Sequence, residues 1–217
     1  MKTSILLGTQ NPSKLAEMKT YFEGLDACPV TPGEITLQHP FIPETADTVR
    51  GNAIQKAVAW HRISGLPVLA EDSGLVFTDL PDKHPDQPGQ FVRRLDGRSM
   101  SDEEMLEHYI QLIRRHGGEL RACWSNCWCL LADDLHGETH ENHSSVFLLR
   151  DKPSSQRHSG WPLDSISWLP EAGKYLVECS EDEKEYKNMK AGYKDSFHIW
   201  FAHALDQLVH EAMPFLQ

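Results

Sequence analysis

Three groups of residues have types and spacings that suit phosphoanhydride chemistry. The first is Gly8-Thr9-Gln10-Asn11-Pro12-Ser13-Lys14, between a short apolar run and a helical pattern. A tight turn at a strand's end gathers backbone N–H groups and a helix N-terminus in one place. Thr9 and Asn11 add side-chain donors, and Lys14 adds a positive charge one turn in. That arrangement suits a phosphate chain, although the GxxxxGK[ST] spacing of a Walker A loop is absent. A capped helix start carrying one surface lysine is the plainer alternative. The second group is Glu44, ahead of a long helical pattern, with Lys56 inside it; a carboxylate there also complements the helix dipole. The third is Glu71-Asp72-Ser73-Gly74, directly after Val68-Leu69-Ala70. Two adjacent acids at the end of a buried strand are costly without a partner. A hard cation such as Mg²⁺ is the natural one, phosphates completing its coordination, while a solvated turn is the alternative. Lys14 and Lys56 would then neutralise a polyphosphate while Glu44 and Asp72 hold a metal and orient or deprotonate water.

The elements that must position these residues follow from periodicity. Residues 3 to 8 read as a buried strand, and Leu15, Met18, Phe22 and Leu25 keep helical spacing after Pro12. Cys28 to Gly33 reads as a loop, with a short strand near Ile35 to Leu37. A helix over Ala46 to Ile63 carries Val49, Ala53, Ala57 and Trp60 on one stripe and stops at Gly65-Leu66-Pro67. Val68 to Ala70 is a short strand, with Leu75 to Phe77 extended after the acids. Leu80 to Gln90 is a loop. Ser101-Asp102-Glu103-Glu104 starts a helix that runs to about Arg115, and Gly117-Gly118 ends it. Strands over 120 to 132 and 138 to 150 follow, then a loop-rich stretch from 151 to 173. A charged helix over Glu181 to Lys190 and a last helix over Ser196 to Met213 complete the chain. Strands alternate with helices early and a long hairpin comes later. The expected fold is one α/β domain over residues 1 to 217, a mixed sheet in an elongated two-lobed form with a central cleft.

The chain has 217 residues, 21 Lys plus Arg against 32 Asp plus Glu, and a formal charge of −11. Such an acid excess disfavours a nucleic-acid polymer or an anionic membrane as partner. No apolar run approaches the ~20 residues of a membrane span, and the N-terminus lacks a secretory pattern, so a cytoplasmic globular protein is expected. The five cysteines include Cys123, Cys127 and Cys129 on one face of a predicted strand, which favours packing over zinc ligation. Most of the 12 histidines read as surface groups.

The ordered motifs resemble the Ham1-like inosine triphosphate pyrophosphatase family. They are Thr9-x-Asn11-x-x-Lys14, Pro43-Glu44-Thr45, Asn52-Ala53-x-x-Lys56-Ala57, Gly65 through Leu75, Pro88-Gly89-Gln90-Phe91 and Asp102-Glu103-Glu104. The resemblance implies hydrolysis at the α-phosphorus of a non-standard purine nucleoside triphosphate, giving the monophosphate and pyrophosphate. It makes Thr9, Asn11, Lys14 and Lys56 triphosphate contacts and Ser73 a substrate contact. It makes Glu44 and Asp72 Mg²⁺ ligands, with Asp72 also the general base and Lys56 part of the catalytic set. It further implies a homodimer whose partner molecule is the small nucleotide.

The C-terminal third departs from the family. Phe-Gly-Tyr/Trp-Asp-Pro is expected where Trp161-Pro162-Leu163-Asp164-Ser165 stands, and a proline there changes the loop's path. The acidic stretch ending in Lys184 survives, but Asn188, Met189 and Lys190 stand in place of Ser-His-Arg. Those elements normally read the purine edge, so the expectation is an enzyme with altered or relaxed base preference. Trp161 would stack on the base, Asp164, Lys184 and Lys190 would line it, and Lys190, His158 or His198 would supply the missing donor. Gly51 stands where the family commonly has a second glutamate. The alternative reading is a nucleotide sensor or sequestering protein with little turnover; a structural role for the six tryptophans is a third.

Overall fold

The computed structural model describes residues 2–35, 38, 40–42, 44–95, 97–133, 136–183 and 193–211. The fold is mixed α/β, and its contacts divide the chain into two compact units.

The first unit comprises Met1–Ser73, Asn126–Asn142 and Tyr193–Gln217. Its centre is β1 (Thr3–Leu7), parallel to β2 (Ala27–Val30) on one side and to β3 (Val68–Phe77) on the other. The strand order here is β2-β1-β3-β6, with β7 (Gly137–His143) pairing β6 (Glu119–Leu131). The predicted loop at Cys28 to Gly33 is thus partly strand. Pro29 is tolerated because β2 is an edge strand, where one row of N–H groups has no ladder partner. Ile35 stands in a turn rather than the predicted strand, and Thr36 and Leu37 lie outside the described residues.

The connection from β1 to β2 crosses the sheet one way, and that from β2 to β3 crosses back. Right-handed crossovers therefore place α1 (Pro12–Thr20) and α2 (Val49–Ser64) on opposite faces. The packing agrees. Met18 of α1 clusters with Leu7, Leu69, Trp128, and with Phe197 and Phe201 of α4 (Tyr193–Glu211). Ala53, Ala57 and Trp60 of α2 cluster with Leu6, Val68, Ala70, Cys127 and Cys129. Successive residues of β3 thus alternate between the α1 and α2 faces, as a pleated strand requires. Trp60 is fully buried, and its truncation to alanine would cost about 3–5 kcal/mol. α2 is capped by Thr48 Oγ1, which accepts from Gly51 N–H at 3.0 Å, and ends at Gly65 with φ 68°. The order β2-β1-β3, with helices on both faces, makes the C-terminal ends of β1 and β3 a topological switch point.

The second unit comprises Gly74–Ser125 and His143–Gly192. Here β6, β8 (Phe147–Arg150), β9 (Ser167–Leu169) and β10 (Lys174–Tyr175) pair antiparallel in sequence, and a two-stranded ribbon joins β4 (Arg94–Leu95) and β5 (Arg98–Ser99). α3 (Asp102–Arg115) opens with a full capping box between Ser101 and Glu104. Its buried face, including Leu106, Tyr109 and Ile113, packs on Leu120, Phe147 and Leu149. The predicted strand over 138 to 150 is two strands, β7 and β8. Ser144 interrupts it by bonding Trp124 twice, its N–H to the Trp124 carbonyl and its Oγ accepting the Trp124 N–H, both at 2.9 Å. Residues 181–183 are helical, and the rest of the predicted charged helix lies outside the described residues. Among the described residues, no helix is long and apolar enough to cross a membrane.

Candidate active site

Asp72 does not end its strand or sit in a turn, since β3 runs on through Phe77. It sits on the α2 face and is 8% exposed. Its Oδ1 lies 2.5 Å from Lys56 Nζ, and its Oδ2 accepts from Asn52 Nδ2 at 3.3 Å. Asn52 and Lys56 are one turn apart on α2, so both reach the same strand residue. Lys56 also reaches Glu44 Oε1 at 3.1 Å and donates to the Glu71 carbonyl at 3.4 Å. Burial pulls the Lys56 ammonium toward neutrality, but the Asp72 and Glu44 carboxylates more than offset it and hold its pKa above the ordinary value.

The segment carrying Glu44 is tied to α2 by its own polar contacts. Gln55 Oε1 accepts from Thr45 N–H at 3.0 Å, and Asn52 Oδ1 accepts from Ala46 N–H at 3.1 Å. Among the described residues Glu44 is the one non-glycine with positive φ, 44°. That conformation is unfavourable for a side chain with a Cβ, by about 1–2 kcal/mol, and here it delivers a carboxylate to a lysine. Gly51 is required by the same approach, because a Cβ at this position would overlap the Ala46 Cβ.

The α1 face carries the second half of the site. Glu71 and Ser73 share this face, one residue either side of Asp72. Lys14 Nζ donates to Ser73 Oγ at 3.3 Å and lies 3.9 Å from Glu71 Oε2, while Ser73 Oγ donates to Glu71 Oε1 at 3.1 Å. Gly8 lets the end of β1 pass close to β3 and α2, since a Cβ there would lie 3.0 Å from Val68 Cγ1 and 3.1 Å from the Trp60 ring. Thr9 and Asn11 each use an oxygen as acceptor, which leaves the Thr9 hydroxyl hydrogen and the Asn11 amide nitrogen as donors. Asn11 Oδ1 caps α1 by accepting from Ser13 N–H at 3.0 Å and Lys14 N–H at 3.4 Å, and Thr9 Oγ1 accepts from Asn11 N–H at 3.2 Å. Their oxygens organise the loop.

The three groups singled out in the sequence therefore meet within the first unit through Lys14–Ser73, Lys56–Glu44 and Lys56–Asp72 contacts. The sequence assigns no role to the side chains of Asn52 and Gln55, and Glu71, expected beside Asp72 as a cation partner, faces Lys14 instead. The position of Asn52 four residues before Lys56 was the available signal, since a buried amide must find partners.

Trp161 and Asp164 belong to the second unit. Trp161 is half-buried and precedes a 3₁₀ turn over Pro162–Ser165. Asp164 Oδ2 pairs with His158 Nδ1 at 3.2 Å. The peptide of Gly160 is clamped, its N–H bound by Asp102 Oδ2 at 2.8 Å and its carbonyl by Arg93 at 3.3 Å. His198 lies in the first unit, where its Nε2 is hydrogen-bonded at 2.7 Å to the carbonyl of Tyr21, the C-cap of α1. Lys184, Asn188, Met189 and Lys190 lie outside the described residues. Cys127 and Cys129 pack against α2, and burial pushes both thiols up to about 12.

The first unit is thus an α/β fold with a switch point, where a lysine and carboxylates meet on each face of β3. The Ham1 family model matches residues 5–191, and the chain belongs to that family. A dITP/XTP pyrophosphatase of Thermus thermophilus is 30% identical over 181 residues, 83% of each chain. One from Geobacter sulfurreducens is 35% identical over 188 residues, 84% of this chain and 88% of its own. The HAM1 protein from Coxiella burnetii has the same fold, with a TM-score of 0.71 and 25% identity over 94% of this chain and 99% of that one.

Proposed function

We propose that this chain is a Mg²⁺-dependent pyrophosphatase of non-standard purine nucleoside triphosphates with a changed base preference. The observation that carries the reading is the Lys56 ammonium shared by Glu44 and Asp72. Two carboxylates that already share one cation offer the oxygen ligands that a hard divalent ion takes. Glu44 and Asp72 would hold Mg²⁺, which when bound supplies charge neutralisation at the phosphates and a more acidic water. The relatives named above carry dITP/XTP pyrophosphatase activity in their names.

The chain's own residues supply the rest. Lys14 and Lys56 bind the triphosphate, replacing their present carboxylate partners in part with phosphate oxygens. The start of α1, organised by Thr9 and Asn11, adds the positive end of a helix. Ser73 keeps Lys14 aimed through its hydroxyl. Asp72, buried and steadied by Asn52, takes the proton of the attacking water as general base. Lys56 stabilises the charge that develops on the phosphates. The products are the nucleoside monophosphate and pyrophosphate.

The changed base preference rests on the loop at Trp161 to Asp164. Its proline and the His158–Asp164 pair give it donors and a backbone path unlike the family pattern. By the same family resemblance the assembly is a homodimer. The test is pyrophosphate release with Mg²⁺ across inosine, xanthosine and the four common nucleoside triphosphates, with their deoxy forms. Turnover concentrated on non-standard purines, in an order that shifts in Asp164→Asn, supports the reading. Binding of these nucleotides without turnover would replace it with a sensor.

A further inference from the structure

A second cluster of metal-ligating side chains lies in the second unit, on residues that the proposed reaction does not use. One donor atom from each of His84, Asp86 and His116 lies within 4.8 Å of the other two. His116 Nε2 is 2.8 Å from Asp86 Oδ2, the Asp86 N–H meets His84 Nδ1 at 3.1 Å, and the two imidazole rings are 5.6 Å apart at 70°. Tetrahedral bonds to nitrogen and oxygen near 2.1 Å place donor atoms roughly 3.4 Å apart, so the His116–Asp86 pair at 2.8 Å would open slightly, while no donor pair exceeds 4.8 Å.

Both supports are fixed independently of any ion. Residues 81 to 87 form two successive turns, His84 N–H to Pro81 O and Gln87 N–H to His84 O, each at 2.9 Å. The Gln87 amide then locks these turns to the end of β3. It accepts from Phe77 N–H at 2.9 Å and donates to the Phe77 and Leu80 carbonyls at 2.8 and 3.1 Å. His116 is the C-cap of α3, where the negative end of the helix favours a cation. Arg115 binds the other Asp86 oxygen at 3.2 Å, which leaves Oδ2 for an ion and orients the carboxylate from outside. Two imidazoles with one carboxylate select borderline transition ions over Mg²⁺ or Ca²⁺.

We propose that His84, Asp86 and His116 form a metal site for a divalent ion of the Zn²⁺ class, which clasps the 81–87 turns to the end of α3. On binding, the ion takes the place of the hydrogen between His116 Nε2 and Asp86 Oδ2, and His116 ligates through Nε2 as the neutral imidazole with its one proton on Nδ1. The remaining coordination position is filled by water.

The test is calorimetric titration of the full chain with Zn²⁺ in excess Mg²⁺, which keeps Glu44 and Asp72 occupied, in a Cys28→Ser background that removes the exposed thiol. One ion should bind per chain, and His84→Ala, His116→Ala and Asp86→Asn should each weaken binding by on the order of tenfold or more. Co²⁺ should give ligand-field absorption without a thiolate band. Melting temperatures without metal show whether each variant folds, and His84→Ala should keep Mg²⁺-dependent turnover. Absence of a one-to-one Zn²⁺ event, or affinity unchanged in folded His84→Ala and Asp86→Asn, would overturn the proposal.

Discussion

The Lys56 ammonium stands 2.5 Å from Asp72 Oδ1, and the same nitrogen stands 3.1 Å from Glu44. The lysine side chain is 15% exposed and the aspartate 11%, so the pair is poorly screened. Lys56→Met leaves two carboxylates facing each other and should lower stability by about 2–3 kcal/mol at neutral pH. The sign with pH follows from the raised lysine pKa. The stabilisation is complete below the ordinary lysine value of 10.5 and disappears as pH climbs through the higher folded value. Thermal melts of the two chains from pH 8 to 11.5 should show a gap that closes only at the alkaline end. A constant gap would mean that lost packing, and not charge, explains the difference.

Asn52 is 3% exposed and satisfies two partners, Asp72 Oδ2 and Ala46 N–H. Asn52→Ala strands both groups and should cost about 1–3 kcal/mol. It should also lower kcat more than it raises KM, because in the proposed reaction the amide steadies Asp72, the general base. Chemical denaturation and steady-state kinetics on the same preparation separate the two effects.

Replacing a glycine inside a helix by alanine ordinarily stabilises it, by up to about 1 kcal/mol in the interior, and Gly51 stands in the first turn of α2. At Gly51 the sign should reverse, since the new Cβ would overlap that of Ala46. A loss of about 1–3 kcal/mol is expected from overpacking, with recovery in the Gly51→Ala, Ala46→Gly double variant. Denaturation midpoints of the three chains decide it.

His198→Ala should leave the order of nucleotide preference unchanged, since the imidazole is bound to the Tyr21 carbonyl at the end of α1. Its effect should be a stability loss of about 1 kcal/mol. A reordered substrate panel would return His198 to the base-reading set.

Much of the first unit was legible because its signals are local. Asn11-Pro12 and Gly65 mark helix ends by capping chemistry, and the Val49, Ala53, Ala57 and Trp60 stripe fixes the buried face of α2; its start, expected at Ala46, is set at Val49 by the Thr48 cap. The alternation through Glu71, Asp72 and Ser73 was legible too once these residues are read as strand, but their polarity suggested a turn. What makes them strand is the lysine supplied from each side of the sheet, a long-range fact. Pro29 in β2 and the break at Ser144 were hidden for the same reason: one depends on β2 being an edge, the other on Trp124 lying opposite. The histidines were least legible, because His158 and His198 differ only in the partners that folding gives them, Asp164 and the Tyr21 carbonyl.

The most direct measurement is product analysis with dITP and Mg²⁺, comparing the chain with Asp72→Asn. Asparagine keeps the shape of the side chain and removes the base. The expected result is pyrophosphate and dIMP from the natural chain, with no orthophosphate, and a rate loss of about 10²–10⁴-fold in the variant. Orthophosphate as the first product, or a variant as fast as the natural chain, would contradict the assignment of Asp72 and of the reaction.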